Sequence, residues 1–136
     1  MDKKDLGEYV YRSMLNEVYL EYCELLLMFY KPRLALQYDA VYVNEKINAF
    51  QSVGKARSNQ QKKRAKIAVT TQSGTELITF INGCFEEQKF QLLRQLRRAL
   101  GETPEYTECE TYLTEKVEEE KDKIKKLLKK EEKKNG

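Results

Sequence analysis

The chain contains no histidine. That removes the Ser-His-Asp and Cys-His arrangements of nucleophilic catalysis, which need an imidazole to accept the proton. It also removes metal sites built on His, including the Glu-x-x-His pairs of helix-bundle cores. The three cysteines, Cys23, Cys84 and Cys109, are far apart and form no C-x-x-C. A clustered zinc site is therefore excluded, and the cysteines read as buried free thiols, since free Cys behaves as a small hydrophobe. The six glycines are scattered and none belongs to a G-x-x-x-x-G-K loop, so the phosphate cradle of that motif is missing. Long apolar runs are absent too. The densest, L-L-L-M-F-Y at residues 25–30, falls far short of the roughly 18–20 residues of a membrane span. The opening residues, M-D-K-K-D-L, lack the apolar core of a signal peptide. Carboxylates are plentiful at Glu86–Glu87 and Glu118–Glu120, but they stand among lysines and read as solvated charge. These absences give the expectation of a cytoplasmic, non-enzymatic protein with no cofactor, no metal and no membrane partner.

One further absence is local. Residues Lys55–Lys66 read K-A-R-S-N-Q-Q-K-K-R-A-K, with six basic residues in twelve and no acidic one. The net charge of the whole chain is only +3, but its distribution is uneven. Residues 1–30 carry −3, residues 31–66 carry +7, residues 67–101 carry +1 and residues 102–136 carry −2. Charge concentrated in this way points to an electrostatic partner more than the total does.

What is present is amphipathic helix. A chain of 136 residues, 40% hydrophobic and 35% charged, is long enough for one domain with its own core. Leu6, Val10, Met14, Val18, Leu25 and Phe29 fall near helical spacing, and Pro32 sets the expected end of a first helix over 4–30. Leu36, Ala40, Val43, Ile47 and Phe50 recur at steps of four and three, the seam of a second helix over about 33–53. At Gly54 the apolar pattern stops, and the basic stretch reads as an exposed helical arm or a loop. Leu77, Ile81, Cys84 or Phe85, Gln88, Leu92, Leu96 and Leu100 carry a third helix, with Ser73 and Glu76 as a capping box and Gly101 as its terminator. The rival reading of 65–82 is a β-hairpin turning at Ser73-Gly74. Thr103-Pro104 opens a fourth helix with a thinner stripe at Tyr106, Leu113, Val117, Ile124 and Leu127 or Leu128. The expected fold is an all-α antiparallel four-helix bundle over 1–128, with a protruding charged C-terminal helix and a charged tail at 129–136; the alternative is α+β with the hairpin.

The candidate site is the basic middle: Lys55, Arg57, Lys62, Lys63, Arg64 and Lys66. Six cations neutralise phosphates and release counterions, which drives sequence-independent binding to RNA or DNA. Ser58, Asn59, Gln60 and Gln61 supply hydrogen-bonding groups beside them. Arg94, Arg97 and Arg98 stand at i, i+3 and i+4 on one helical face and are auxiliary candidates. In an antiparallel bundle they fall near Lys31 and Arg33, with the basic stretch at the other end of the same helix pair. The competing reading is a protein–protein or oligomerisation module, because the seam at Leu36–Phe50, the tyrosine-rich first helix and the coiled-coil-like end all suit assembly with a helical or acidic partner, within a homo-oligomer or a larger complex.

Overall fold

The computed structural model describes residues 2–135, with side-chain surroundings for residues 2–130. The fold is all-α, with four helices and, among the described residues, no strand. The hairpin reading of 65–82 is thereby overturned. The tail expected at 129–136 lies, past Lys130, outside the residues whose side chains are described.

Helix α1 spans residues 3–35. It is built of α segments Lys3–Arg12, Tyr19–Leu25 and Lys31–Ala35 joined by π turns Ser13–Val18 and Leu26–Tyr30. The side-chain Oδ1 of Asp2 caps its start, accepting from the Asp5 N–H at 2.8 Å. Leu6, Val10, Met14, Val18 and Tyr22 are all buried. In an unbroken α-helix each step of four overshoots a full turn by about 40°, so this series would wind off one face. The wider π turns take back part of that rotation and hold the series inside. The second π turn also explains why α1 passes through Pro32, where the sequence suggested an end. A proline ring needs the space that an α-helix gives to the carbonyl four residues back. Just before Pro32 the Lys31 N–H reaches back five residues to Leu26 O, and the helix is widened there.

Helix α2, Ala40–Thr71, starts later and ends later than its apolar seam implies. Asp39 caps it, its Oδ1 accepting from the Tyr42 N–H at 2.9 Å. Leu36, expected in the seam, is outside the helix and 87% exposed. The basic stretch is neither loop nor free arm. It is the second half of α2, and its inner face, Gly54, Ser58, Gln61, Ala65 and Ala68, is buried. A Cβ on Gly54 would lie 2.4 Å from Tyr22 Cε1, so the glycine admits a tyrosine ring from α1 and does not end a helix. Tyr22 Oη then donates to Phe50 O at 2.9 Å, and Tyr19 Oη donates to Gln51 O at 3.1 Å.

Helix α3, Gly74–Leu100, buries Leu77, Ile81, Cys84, Phe85, Gln88, Leu92, Leu96 and Leu100, as its periodicity requires. Ser73 stands at the cap with extended backbone, but its side chain makes no capping bond, so the expected capping box is not formed. Gly101 takes φ +71° and ψ −168°, a region open essentially to glycine alone, and the helix ends there. Helix α4, Pro104–Asn135, opens as the sequence indicated, with Thr103 Oγ1 accepting from the Tyr106 N–H at 3.3 Å.

Side chains link the helices at several levels. Lys66 pairs with Glu8, Tyr19 and Tyr22 bond to residues 51 and 50, Lys116 pairs with Glu17, and Lys121 pairs with Glu86. Numbers rise along α1 as they fall along α2, an order consistent with antiparallel neighbours. Gln88 lies in the buried centre. Its Nε2 donates to Met14 O at 2.5 Å and to Ser58 Oγ at 3.0 Å, joining α3 to α1 and α2. All three cysteines are buried free thiols. Burial pushes each thiol up, Cys109 to about 12, with Glu108 and Glu105 adding to the effect there. No described helix is long and apolar enough to cross a membrane.

Candidate nucleic-acid interface

Because the basic stretch is helical, its charges point in three directions. With the inner face at Gly54, Ser58, Gln61 and Ala65, helical phase puts Lys55, Lys62 and Lys66 on the flank towards α1. It puts Arg57 and Arg64 on the flank towards α3 and Lys63 outward. Contacts fix the first two directions. Lys62 Nζ lies 3.5 Å from the Tyr11 ring centroid. Lys66 Nζ donates to Glu8 Oε1 at 2.7 Å and lies 5.0 Å from the same ring. This hydrogen bond, together with the Lys66 charge, holds the Glu8 carboxyl below its usual range. Arg64 faces the other way. Its guanidinium is 5.6 Å from the Phe80 ring centroid, and Nη1 donates to Gln61 Oε1 at 3.0 Å. Lys55 and Lys63 are exposed and Arg57 is half-buried.

The α3 arginines divide as well. Arg94, Arg97 and Arg98 are all exposed. Arg97 turns towards the α3–α4 connection, where it pairs with Glu102 and lines a shallow groove with Thr103, Tyr106 and Glu110. Arg33, expected near this end, is there: its Nη1 donates to Leu100 O at 2.6 Å, a cation on the carbonyl end of α3.

Seven residues turn an α-helix through two revolutions less about 20°. Arg57 and Arg64 therefore share one flank of α2. The same step leads on α3 from Phe80 through Glu87 to Arg94, with Arg98 one turn further. The Arg64–Phe80 contact shows that these two flanks meet on the same side of the α2–α3 pair. The Ser58–Gln88 bond sets their common level. In an antiparallel α2–α3 pair, at 1.5 Å per residue, Arg64, Arg57, Arg94 and Arg98 would follow one another over about 24 Å. Lys46, eleven residues before Arg57, continues the flank by three turns. It lies 5.6 Å from the Tyr42 ring centroid, and sequence reasoning missed it because it falls outside the dense run. Glu87 interrupts the series, its Oε1 accepting from Gln91 Nε2 at 3.0 Å.

Of the nine candidates, Arg57, Arg64, Arg94 and Arg98 lie on the two flanks that meet at the Arg64–Phe80 contact. Lys62 and Lys66 are engaged with α1, Arg97 is paired elsewhere, and Lys55 and Lys63 lie outside the row. Among the described residues no group of His, Cys, Asp and Glu is placed to hold a metal ion. Comparison of the chain with protein-family models, curated proteins and solved structures finds no match.

Proposed function

We propose that this chain is a non-catalytic accessory protein that binds nucleic-acid backbone, within a nucleoprotein assembly, through the arginine row of α2 and α3. The reading takes the four helices as an antiparallel bundle, the arrangement that aligns the two flanks. What supports it is the Arg64–Phe80 contact, which brings the flank of Arg57 and Arg64 beside that of Arg94 and Arg98; in the antiparallel arrangement the four arginines span about 24 Å along one line. Guanidinium groups suit phosphate, since their planar fork offers paired donors. Binding of this kind has little base preference and falls with salt.

The test is binding of labelled DNA single strand and duplex across a salt series. Removing Arg57, Arg64, Arg94 and Arg98 together should lower the duplex salt slope by about 0.9 for each phosphate no longer neutralised, close to four in all. Removing Lys62 and Lys66 should change the slope far less, because those lysines already have partners on α1. Equal slopes for wild type and the arginine variant, in folded protein, would remove the row from the interface.

A second reading has its own support. Leu27, Met28, Leu36, Tyr38 and Val41 are exposed around the α1–α2 connection, an apolar cluster suited to a protein partner or to self-association. Sedimentation at increasing concentration tests the self-association arm: a Met28→Ser, Leu36→Ser variant that stays monomeric where wild type associates supports it.

A further inference from the structure

We infer that the nucleic acid taken by this face is single-stranded, with one unpaired base stacked on Phe90; the inference rests on the arginine row proposed above. Phe90 is 59% exposed. It lies diametrically opposite the buried series Ile81, Phe85, Leu92 and Leu96 of α3, so the core does not account for it. Its surroundings on the helix are specific. Arg94 stands one turn beyond it, so the ring borders the arginine row on its solvent side. Two turns before it is Gly83, exposed, with nothing within 4 Å of where a Cβ would be. That glycine serves no close approach within the fold; between it and the ring stand Glu86, paired with Lys89 and Lys121, and Glu87, which accepts from Gln91.

An exposed aromatic beside a line of cations is the pairing that single-strand binders use. The cations follow the backbone, while the ring offers a flat face to a base. A duplex cannot use that face, because its bases are stacked on each other and only their edges reach the grooves. The Arg94 guanidinium, one turn beyond the ring, adds a cation–π contribution to a stacked base. A protein partner would also cover a phenylalanine, but it would not require four arginines in line beside it.

The experiment uses the full chain with a labelled oligothymidylate and a generic DNA duplex. The protein has no tryptophan, so Phe90→Trp introduces a single indole at the point in question. Oligothymidylate should quench and shift its emission, and duplex should not. Phe90→Ala should bind the single strand about tenfold more weakly, in line with the loss of one stacked base. Its salt slope should be unchanged, because every phosphate keeps its cation. Circular dichroism confirms that both variants fold, as expected for a surface side chain. If Phe90→Ala binds the strand like wild type, or the tryptophan does not respond while salt-sensitive binding persists, the stacking inference is wrong and the arginine row stands. If wild type binds neither probe at low salt, the row and the inference fall together, and Phe90 becomes part of a protein-binding surface.

Discussion

Helices α2 and α3 run side by side and bury comparable lengths of chain, yet they are built from opposite materials. The inner face of α3 is mostly bulky and apolar, Leu77, Ile81, Phe85, Leu92, Leu96 and Leu100, with Cys84, Gln88 and Gln95 among them. Over its second half, the inner face of α2 is Gly54, Ser58, Gln61, Ala65 and Ala68. One helix supplies volume and the other makes room for it. Tyr22 fills the notch at Gly54, and Gln88 meets Ser58. A buried face therefore need not be an apolar one, provided that its neighbours bring the bulk and its polar groups find partners.

The contrast is sharpest in what truncation should do. Leu92→Ala removes a fully buried side chain from α3 and should cost about 2–5 kcal/mol in chemical denaturation. A cost below about 1 kcal/mol would mean that the α3 face is less tightly packed than its burial implies. Enlarging α2 should hurt where enlarging α3 does not. Gly54→Ala places a methyl against the Tyr22 ring and should destabilise by about 1–3 kcal/mol through overpacking, despite the helix propensity it gains. Gly83→Ala meets open space and should stabilise by about 0.5–1 kcal/mol. If both glycine variants moved the melting temperature the same way, the notch at Gly54 would not be a packing feature.

The smallest expected effect concerns the polar links between helices. The Glu8 carboxyl is lowered by its hydrogen bond to Lys66, and Glu86 by its hydrogen bond to Lys121, against the opposing effect of partial burial. Both are lowered on folding, so the unfolded chain binds protons first as pH falls. Their contribution is therefore complete above the ordinary carboxylate range, near 4.5, and is lost as pH drops through the lower folded values. Lys66→Met and Lys121→Met should each flatten the acid limb of a stability–pH curve. An unchanged limb would show that these pairs are screened by solvent to no net effect.

The large apolar residues of α3 were legible, while Leu36 and the small inner residues of α2 were not. Every α3 position from Leu77 to Leu100 that its spacing marks for the core is buried, because bulky side chains at helical spacing leave one solution. Gly54 read as a stop, since nothing in its neighbourhood reveals that a tyrosine 32 residues earlier needs the space. Pro32 read as a boundary because a π turn has no sequence signature as strong as a proline. The basic stretch showed its charge but not its directions. Whether Arg64 stands with Lys66 or with Arg94 depends on which helix lies on which side of α2, a tertiary fact. The α3 arginines read as one cluster, and the turn after Gly101 drew Arg97 away to Glu102.

Gln88 carries a consequence that reaches the surface. Its amide is pinned between Met14 O on α1 and Ser58 Oγ on α2, so it fixes the axial register of three helices at once. Sliding α2 past α3 by one turn, about 5.4 Å, would leave the amide without its Ser58 partner in an interior where such a loss is costly. That slide would also bring Arg57 opposite a different turn of α3 and alter the interval between the two halves of the arginine row. The spacing of charges on the outside is thus set from within, by one uncharged, fully buried side chain.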